Sequence, residues 1–395
     1  MVELVETLPV VELVETRPSE AEAHPRTLNL VTALTQDLLD RIRSRAAGYD
    51  ASNSFFDEDL AELRAAGYLA PRSLLETAHD QRLLAAYAPA TALGINMHLV
   101  WVGVARVLHS HGDTSLDWIL SEAAAGELFA FGNSEAGNDL VLWDSLTTAT
   151  PVEGGWAFTG TKIFTSLAPA WTRLGVFGRF EDQLIHGFID RSSPGVTTLD
   201  DWDTLGMRAT QSRTTVLDGA FVPSARISRT LPVGPNADPF VFGIFSNFLL
   251  LIGSVYAGIA DRALELAVAS SHKRTSLKSG LTYSQDPDIR WRIADAALAL
   301  DALAPQLSLL AADVDNRVDH GAAWFRYLTG AKHRSTETAR YVVDQALRVA
   351  GGSGYRSASE LARLQRDVLA GIYHPSDTES VHATVAGNLL GALEL

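Results

Sequence analysis

The feature that most constrains the fold of this chain is the order in which helical and strand patterns follow one another. From 26 to 128, apolar residues recur at helical spacing, as in Leu34, Leu38 and Ile42. From 129 to 230, short β-rich runs alternate with Gly, Asp and Ser-Pro turns. From 231 to 395, helical spacing returns. Because strands and helices are segregated, the sequence predicts a helical, a β and a second helical domain, and excludes a doubly wound sheet.

The segment 1–25 stands apart from these domains. It contains a direct repeat, Val-Glu-Leu-Val-Glu-Thr, at 2–7 and again at 11–16. Two copies of so short a unit are too few to stack into a repeat fold that buries a core. The segment also lacks the basic region and cleavage site of a signal peptide. We therefore predict a disordered tail.

Charge and residue usage restrict the partners. The formal net charge is −15, which disfavours nucleic acid and anionic membrane surfaces. The chain has no Cys, so disulfides, thiolate metal sites and Cys nucleophiles are excluded. No apolar run reaches the roughly 18 residues of a membrane span, and no zinc-protease or nucleophile-elbow motif occurs. We expect a cytoplasmic protein with a small-molecule substrate and without nucleic acid, membrane or metal partners.

Several motifs in the β region follow a family pattern. Residues 131–139, Phe-Gly-Asn-Ser-Glu-Ala-Gly-Asn-Asp, resemble the Thr-Glu-Pro-x-x-Gly-Ser-Asp loop of acyl-CoA dehydrogenases. Residues 158–166 are similar to that family's Gly-x-Lys-x-Trp-Ile-Thr strand, and 205–212 with 216–223 to its Leu-Gly-Met-Arg signature. Beyond the β region, His272-Lys-Arg-Thr-Ser resembles the Arg-x-x-Phe-Gly segment. The matches keep chain order over about 27–395, so together they indicate the family's fold.

That resemblance implies an α+β fold, mostly α. The expected domains are an N-terminal helical domain at 26–128, a β-barrel or sandwich at 129–230 and a C-terminal four-helix bundle at 231–395. It also implies FAD, with FMN as the alternative if the chain is part of a two-component monooxygenase. Hydroxyl, amide, aromatic, cationic and Gly positions in the matching motifs are the expected flavin contacts: Ser134, Asn138, Phe164, Ser166, Arg274, Ser276, Gln345, Gly351 and Gly352.

The C-terminal segment departs from the family at its reactive position. The family's usual base is the Glu of an Ile-Tyr-Glu-Gly-Thr loop that follows an Arg-Asp pair. Here Arg366 and Asp367 are followed by Ile372-Tyr373-His374-Pro375, so His374 stands where Glu is expected. The alternative base position of some family members falls near Phe248, where no acid occurs.

Several interpretations follow from this replacement. His374 could itself be the base, or Glu379 could replace the missing carboxylate, and either would give acyl-CoA dehydrogenation with an unusual base. The chain also resembles two-component flavin monooxygenases, in which His and Asn hydrogen-bond a flavin C4a-(hydro)peroxide. In that branch the catalytic residues would be His374, Asn133 and Ser166. A flavin-binding scaffold without catalysis is the remaining alternative. We favour the monooxygenase, because a neutral His can donate a hydrogen bond and shuttle a proton.

The resemblance further implies protein partners. A family member of this kind forms a homo-oligomer, a tetramer or a dimer, in which a second subunit helps to hold the flavin. A monooxygenase would need a flavin reductase, and a dehydrogenase an electron-transfer flavoprotein with an acyl-CoA as substrate. A second histidine, His98, lies in a predicted apolar helix, and we interpret it as a core residue.

Overall fold

The computed structural model describes residues 32–140 and 142–391. The tail predicted at 1–25 lies outside the described residues. Before the sheet come helices α1 to α5, and after it α6 to α11. The helices are α1 Gln36–Ser52, α2 Asp57–Ala65, α3 Leu74–Tyr87, α4 Pro89–Ser110, α5 Asp117–Ala124, α6 Pro239–Lys273, α7 Pro287–Asp301, α8 Leu303–Asp315, α9 Ala323–Ala350, α10 Glu360–Leu369 and α11 Thr378–Leu390.

In the described part of the chain, eight strands form one sheet in the order β6-β7-β3-β2-β4-β5-β8, with β1 beside β4. β1 and β2 run parallel to β4, and the other pairs are antiparallel. Helices precede and follow this sheet, so the α+β fold class is confirmed. The strands are β1 Phe129–Gly132, β2 Thr148–Val152, β3 Gly155–Thr165, β4 Arg173–Phe180, β5 Gln183–Asp190, β6 Val196–Thr198, β7 Arg213–Pro223 and β8 Ile227–Pro232.

Helix α6 is the central element of the C-terminal part. Its first turn is fixed by Asp238, whose carboxylate accepts a hydrogen bond from Phe240 N at 2.7 Å, and by Pro239 at the first helical position. The helix packs against α3, α4 and α9. Its apolar residues therefore face neighbours on several sides, and most of them are buried.

Two of the sequence motifs meet in space. Asp367 of α10 accepts a hydrogen bond from Met207 N at 2.6 Å, and Arg366 Nε donates to Leu205 O at 3.1 Å. A Cβ at Gly206 would lie 2.2 Å from Arg366 O, so only Gly allows this approach. Arg366 also pairs with Asp50 at the end of α1. The Leu-Gly-Met-Arg signature and the Arg-Asp pair thus join the sheet to helices from both ends of the chain.

Among the described residues, three helical stretches are long and apolar enough to cross a membrane, judged by length and composition alone: Pro89–Ser110, Pro239–Lys273 and Pro287–Asp315. By this measure the expectation that no segment would qualify is wrong. In the first two, 94% and 83% of the apolar window is buried inside the protein. In the third, which joins α7 and α8, only 28% is buried, so this stretch presents apolar surface that the other described residues do not cover.

Candidate functional site

The side chain of Asn133 is buried without a hydrogen-bonding partner. It follows β1, which enters the sheet beside β4, and the residue is 1% exposed. In the part of the chain that the structure describes, neither Nδ2 nor Oδ1 of Asn133 has a protein partner. Leaving a buried amide unpaired costs about 1–3 kcal/mol. The position of Asn133 therefore suits a polar ligand.

A buried ion pair holds the segment next to Asn133. Lys162 Nζ of β3 lies 2.8 Å from Glu135 Oε1, and both side chains are almost fully buried. Glu135 Oε1 also accepts hydrogen bonds from Thr147 N and Oγ1 and from Ser145 Oγ, at 2.6–2.9 Å. Burial raises the pKa of Glu135, but Lys162 and these donors outweigh it and lower the pKa to about 2. The carboxylate is therefore ionised and anchors residues 133–147 to the sheet.

Asn138 is part of the same anchor. Its Nδ2 donates to Glu135 Oε2 at 2.8 Å and to Asp144 O at 2.9 Å, and its Oδ1 accepts from Leu140 N. Both ends of this predicted flavin-contacting amide are thus engaged within the protein. Glu135 and Lys162 lie inside motifs noted in the sequence, but neither was among the predicted site residues. The signal that could have found them is a Lys at an inward position of an alternating strand.

The end of β3 carries an exposed aromatic ring, Phe164, and a buried hydroxyl group, Ser166. Phe164 has a φ of +56°, and its side chain is 55% exposed. Two residues later Ser166 is buried, with its Oγ 2.8 Å from Ser212 Oγ. Ser212 Oγ in turn lies 2.8 Å from Thr210 Oγ1. The strand therefore offers an exposed ring for stacking beside a short chain of hydroxyl groups.

Three of the predicted flavin contacts, Arg274, Gly351 and Gln345, lie near the C-terminal end of α9. Arg274 Nη1 donates to Val349 O at 3.0 Å and to Ala350 O at 2.6 Å. Gly351 ends the helix with a φ of +61°. Gln345 Oε1 accepts a hydrogen bond from Arg292 Nη1 at 2.9 Å.

Two further residues, Gly352 and Ser276, were also predicted to contact the flavin. Gly352 is exposed, and Ser276 lies in the turn that follows α6, where its N–H donates to Leu281 O at 2.9 Å. Arg274 thus stabilises the C-terminal end of α9 through its backbone carbonyls. The predicted contribution of these residues to flavin binding stays a prediction.

His374 lies in the loop between α10 and α11, against Tyr256 of α6. The two ring centroids are 5.8 Å apart. His374 Nε2 is buried and has no partner among the described residues, and the same is true of Tyr256 Oη. Burial lowers the pKa of His374 to about 3, and the nearby charge of Lys332 adds to the shift. The imidazole is therefore neutral at physiological pH.

Among the described residues no carboxylate lies within 4.0 Å of a ring nitrogen of His374, and this includes Glu379, the expected substitute. Glu379 is exposed in the first turn of α11, where the helix dipole favours an acid. In α6 the first acid is Asp261, and it pairs with Arg82 at 2.5 Å. At the alternative base position, Phe248 stacks on Phe131 with centroids 5.9 Å apart.

Helix α6 relates the two halves of the predicted site. Phe131, two residues before Asn133, contacts Phe248, and His374 contacts Tyr256 eight residues further along. Eight residues of α-helix span about 12 Å. Among the described residues no hydrogen bond joins His374 to Asn133 or Ser166. The contacts of α6 with Phe131 and with His374 therefore lie about 12 Å apart along the helix.

A cavity of about 290 Å³ lies at the start of α6, between α8 and α9. Phe242, Trp324 and Phe325 form its aromatic wall. One turn along α6, Phe245 stacks on Trp143 at 5.7 Å and also packs against Phe325. With Phe248, these rings follow one side of α6 from the cavity towards Phe131. They form a row of packed aromatic rings along α6.

The second histidine noted in the sequence, His98, has a structural role. His98 is fully buried, its Nε2 lies 3.0 Å from Leu69 O, and burial lowers its pKa to about 4. Its interpretation as a core residue is confirmed. Among the described residues, no group of three or more His, Asp or Glu side chains could hold a metal ion.

Comparison with known proteins identifies similar sequences and structures. The family model "Acyl-CoA dehydrogenase, C-terminal domain" matches residues 250–376. The chain is 30% identical over 372 residues to L-evernosamine nitrososynthase of a Micromonospora species, covering 86% of this chain and 85% of that one. It is 28% identical to the putative acyl-CoA dehydrogenase YdbM of Bacillus subtilis, covering 87% and 92%. The structure of KijD3 with FMN and dTDP-3-amino-2,3,6-trideoxy-4-keto-3-methyl-D-glucose superposes with a TM-score of 0.76 at 26% identity, covering 91% and 92%.

Proposed function

Because this chain belongs to the acyl-CoA dehydrogenase superfamily of flavin-dependent oxidoreductases, we propose that it is a flavin monooxygenase of that superfamily. The observation that carries the proposal is the neutral His374, half-buried but with its Nε2 buried and unpaired among the described residues, at the position of the superfamily's carboxylate base. The buried amide of Asn133, which has no partner among the described residues, supports it.

The state of His374 favours hydrogen bonding over base chemistry. A pKa of about 3 makes this imidazole a weaker base than an ordinary Glu, whose pKa is about 4.3. It would therefore remove the α-proton of a thioester poorly, since that proton is very weakly acidic. A neutral imidazole still carries one N–H donor and one acceptor. His374 would use them to hold and pass a proton at the reacting oxygen.

The residues present fit a flavin. The unpaired amide of Asn133 has a donor and an acceptor for a polar ring edge, and Phe164 exposes a ring for stacking. Ser166 Oγ adds a hydroxyl that is already oriented by Ser212. The chemistry that a bound, reduced flavin supplies is electron transfer to dioxygen. We propose FMN or FAD as the cofactor, with Asn133, Phe164 and Ser166 holding its ring system.

For the substrate we propose a small molecule that bears an amino group and is oxidised at nitrogen. The support comes from the relatives: one is named a nitrososynthase, and KijD3 is bound to an amino sugar nucleotide.

The decisive experiment supplies reduced flavin and isotopically labelled dioxygen. The purified protein, a flavin reductase, NADH and FMN are incubated with dTDP-3-amino sugars, and the products are analysed by mass spectrometry. Incorporation of heavy oxygen at nitrogen supports the proposal. Consumption of dioxygen without a labelled product from any amine would contradict the proposed substrate class. A tightly bound flavin with no oxygen use at all would instead support the scaffold alternative.

Acyl-CoA dehydrogenation is the second candidate, favoured by the family match at 250–376 and by the Bacillus relative. It is tested by adding acyl-CoA thioesters of several chain lengths to the flavin-loaded protein without oxygen. Bleaching of the flavin absorbance by a thioester would overturn the monooxygenase proposal. We expect no bleaching, because no carboxylate of the described residues replaces the missing base.

We also propose that the chain forms a homo-oligomer through α7 and α8. Trp291, Leu298 and Leu309 on these helices are 72%, 73% and 62% exposed. Such an apolar surface is stabilised when a partner covers it. Light scattering should give the mass of a dimer or tetramer, and Leu298→Glu should reduce it to that of a smaller species. The matched control, Val152→Glu in β2, should leave the mass unchanged. A monomeric wild-type protein would refute the proposal.

A further inference from the structure

Lys332 is a buried lysine that holds the loop of His374. It lies on α9 and is 2% exposed. Its Nζ donates three hydrogen bonds, to Gly371 O at 2.9 Å, His374 O at 2.8 Å and Ser376 O at 2.9 Å. An ammonium group has three N–H donors, so all of them are used on this one segment. The lysine therefore ties three carbonyls of the loop to α9.

The surroundings of Lys332 differ from those of the other buried lysine. Lys162 pairs with Glu135, whereas no carboxylate of the described residues lies within 4.0 Å of Lys332 Nζ. A buried ammonium without a counter-ion is costly, and such groups tend to mark function. The loop carbonyls are the partners that compensate for burial.

We propose that Lys332 is a positioning residue for His374, and that loss of its ammonium proton releases the loop. The proposal rests on the role of His374 proposed above. In the charged state Lys332 holds all three carbonyls, which fixes the backbone that carries the imidazole against Tyr256. A neutral amine has only two N–H donors, and its lone pair would face a carbonyl oxygen, so at least one tie is lost.

The groups around Lys332 set the pH of this change. Burial lowers the pKa of Lys332 to about 8. The negative charges of Asp377 at the start of α11 and Glu337 of α9 oppose this shift, because they raise the pKa. His374 faces it from the loop as a neutral ring, and Tyr256 of α6 keeps its proton because burial raises its pKa. His333, the neighbour on α9, has a lowered pKa and is neutral as well. The loop is thus held below about pH 8 and loosened above it.

The first test is a pH profile. Wild-type kcat should fall above about pH 8 while KM changes little. Lys332→Met, which keeps the length of the side chain without its charge, should reduce kcat at pH 7 by at least tenfold and abolish the alkaline fall. The control Lys273→Met, at an exposed lysine ending α6, should keep the wild-type profile. An unchanged alkaline limb in Lys332→Met would contradict the proposal.

The second test does not depend on turnover. Hydrogen exchange followed by mass spectrometry reports the protection of amides at 370–378. We expect Lys332→Met to lose protection there and to keep it in α6 and β3, and Lys273→Met to match the wild type. If Lys332→Met fails to fold, the wild type alone decides: protection of 370–378 should fall, relative to α6, between pH 7 and pH 9. If residues 370–378 keep their protection, the positioning role of Lys332 is refuted, even if the oxygenase proposal holds. Lost protection without oxygenation would refute only the proposed function.

Discussion

Replacing His374 with alanine is expected to lower turnover by at least two orders of magnitude while flavin binding and the fold are retained. The imidazole lies in a loop that other contacts position, so its removal leaves the backbone in place. Loss of a group that passes a proton at the reacting atom lowers kcat by about 10²- to 10⁴-fold. We expect His374→Ala to fall in this range under reductase-coupled conditions. The measurement is steady-state kinetics, together with a flavin titration and circular dichroism.

Two variants sharpen that experiment. His374→Gln keeps a neutral side chain with a donor and an acceptor, and should retain more activity than the alanine variant. His109→Ala removes an exposed histidine at the end of α4 and should behave as the wild type. Full activity in His374→Ala would eliminate the proposed role. Loss of flavin together with activity would assign His374 to cofactor binding.

The second large effect is expected from Lys162→Met, which should destabilise the protein by about 3–5 kcal/mol. The substitution leaves the Glu135 carboxylate buried without its cation, although the other donors remain. Chemical denaturation measures the loss. Because Glu135 anchors residues 133–147, flavin affinity should fall as well. The double variant Lys162→Met with Glu135→Gln removes both charges and should recover part of the stability. A loss below about 1 kcal/mol in the single variant would show that the pair is not needed.

The same pair gives a pH dependence of stability. The pKa of Glu135 is about 2 in the folded protein, below the usual value for this side chain of about 4.3. A carboxylate with a lowered pKa stabilises the fold above its unfolded pKa and loses that contribution as the pH falls towards its folded pKa. The free energy of unfolding should therefore decrease between about pH 4.3 and pH 2. In the double variant this part of the decrease should be absent.

The buried lysines show how similar residues obtain different roles. Lys162 faces a carboxylate and fixes one strand to the loop after β1, which places Asn133. Lys332 faces carbonyls and fixes the loop of His374, so its hold depends on its own proton. Burial lowers the pKa of both lysines to about 8. They differ in their partners: Lys162 has the Glu135 carboxylate as a counter-ion, whereas the hydrogen-bond partners of Lys332 are three backbone carbonyls.

The amino-acid sequence by itself determined the order of helical and strand segments and the family. Hydrophobic spacing is a local property, because each helix or strand buries one face whatever it packs against. The β-rich runs between 129 and 230 therefore predicted the strands of the sheet, β3 among them, and the helical spacing from 231 onwards predicted α6. The motifs, being short and in chain order, identified the superfamily and the position of His374.

Only the tertiary structure decided the chemical state of the site. Glu135 and Lys162 are 27 residues apart, and Lys332 is 42 residues from His374, so no local pattern reports these contacts. The pKa of His374 is lowered because its surroundings desolvate the imidazole and Lys332 lies nearby, which spacing along the chain cannot show. The sequence therefore identified the histidine that replaces the family's base. The packing of α6 and α9 around it determined that this histidine is neutral, and so a poor base and a suitable hydrogen-bonding group.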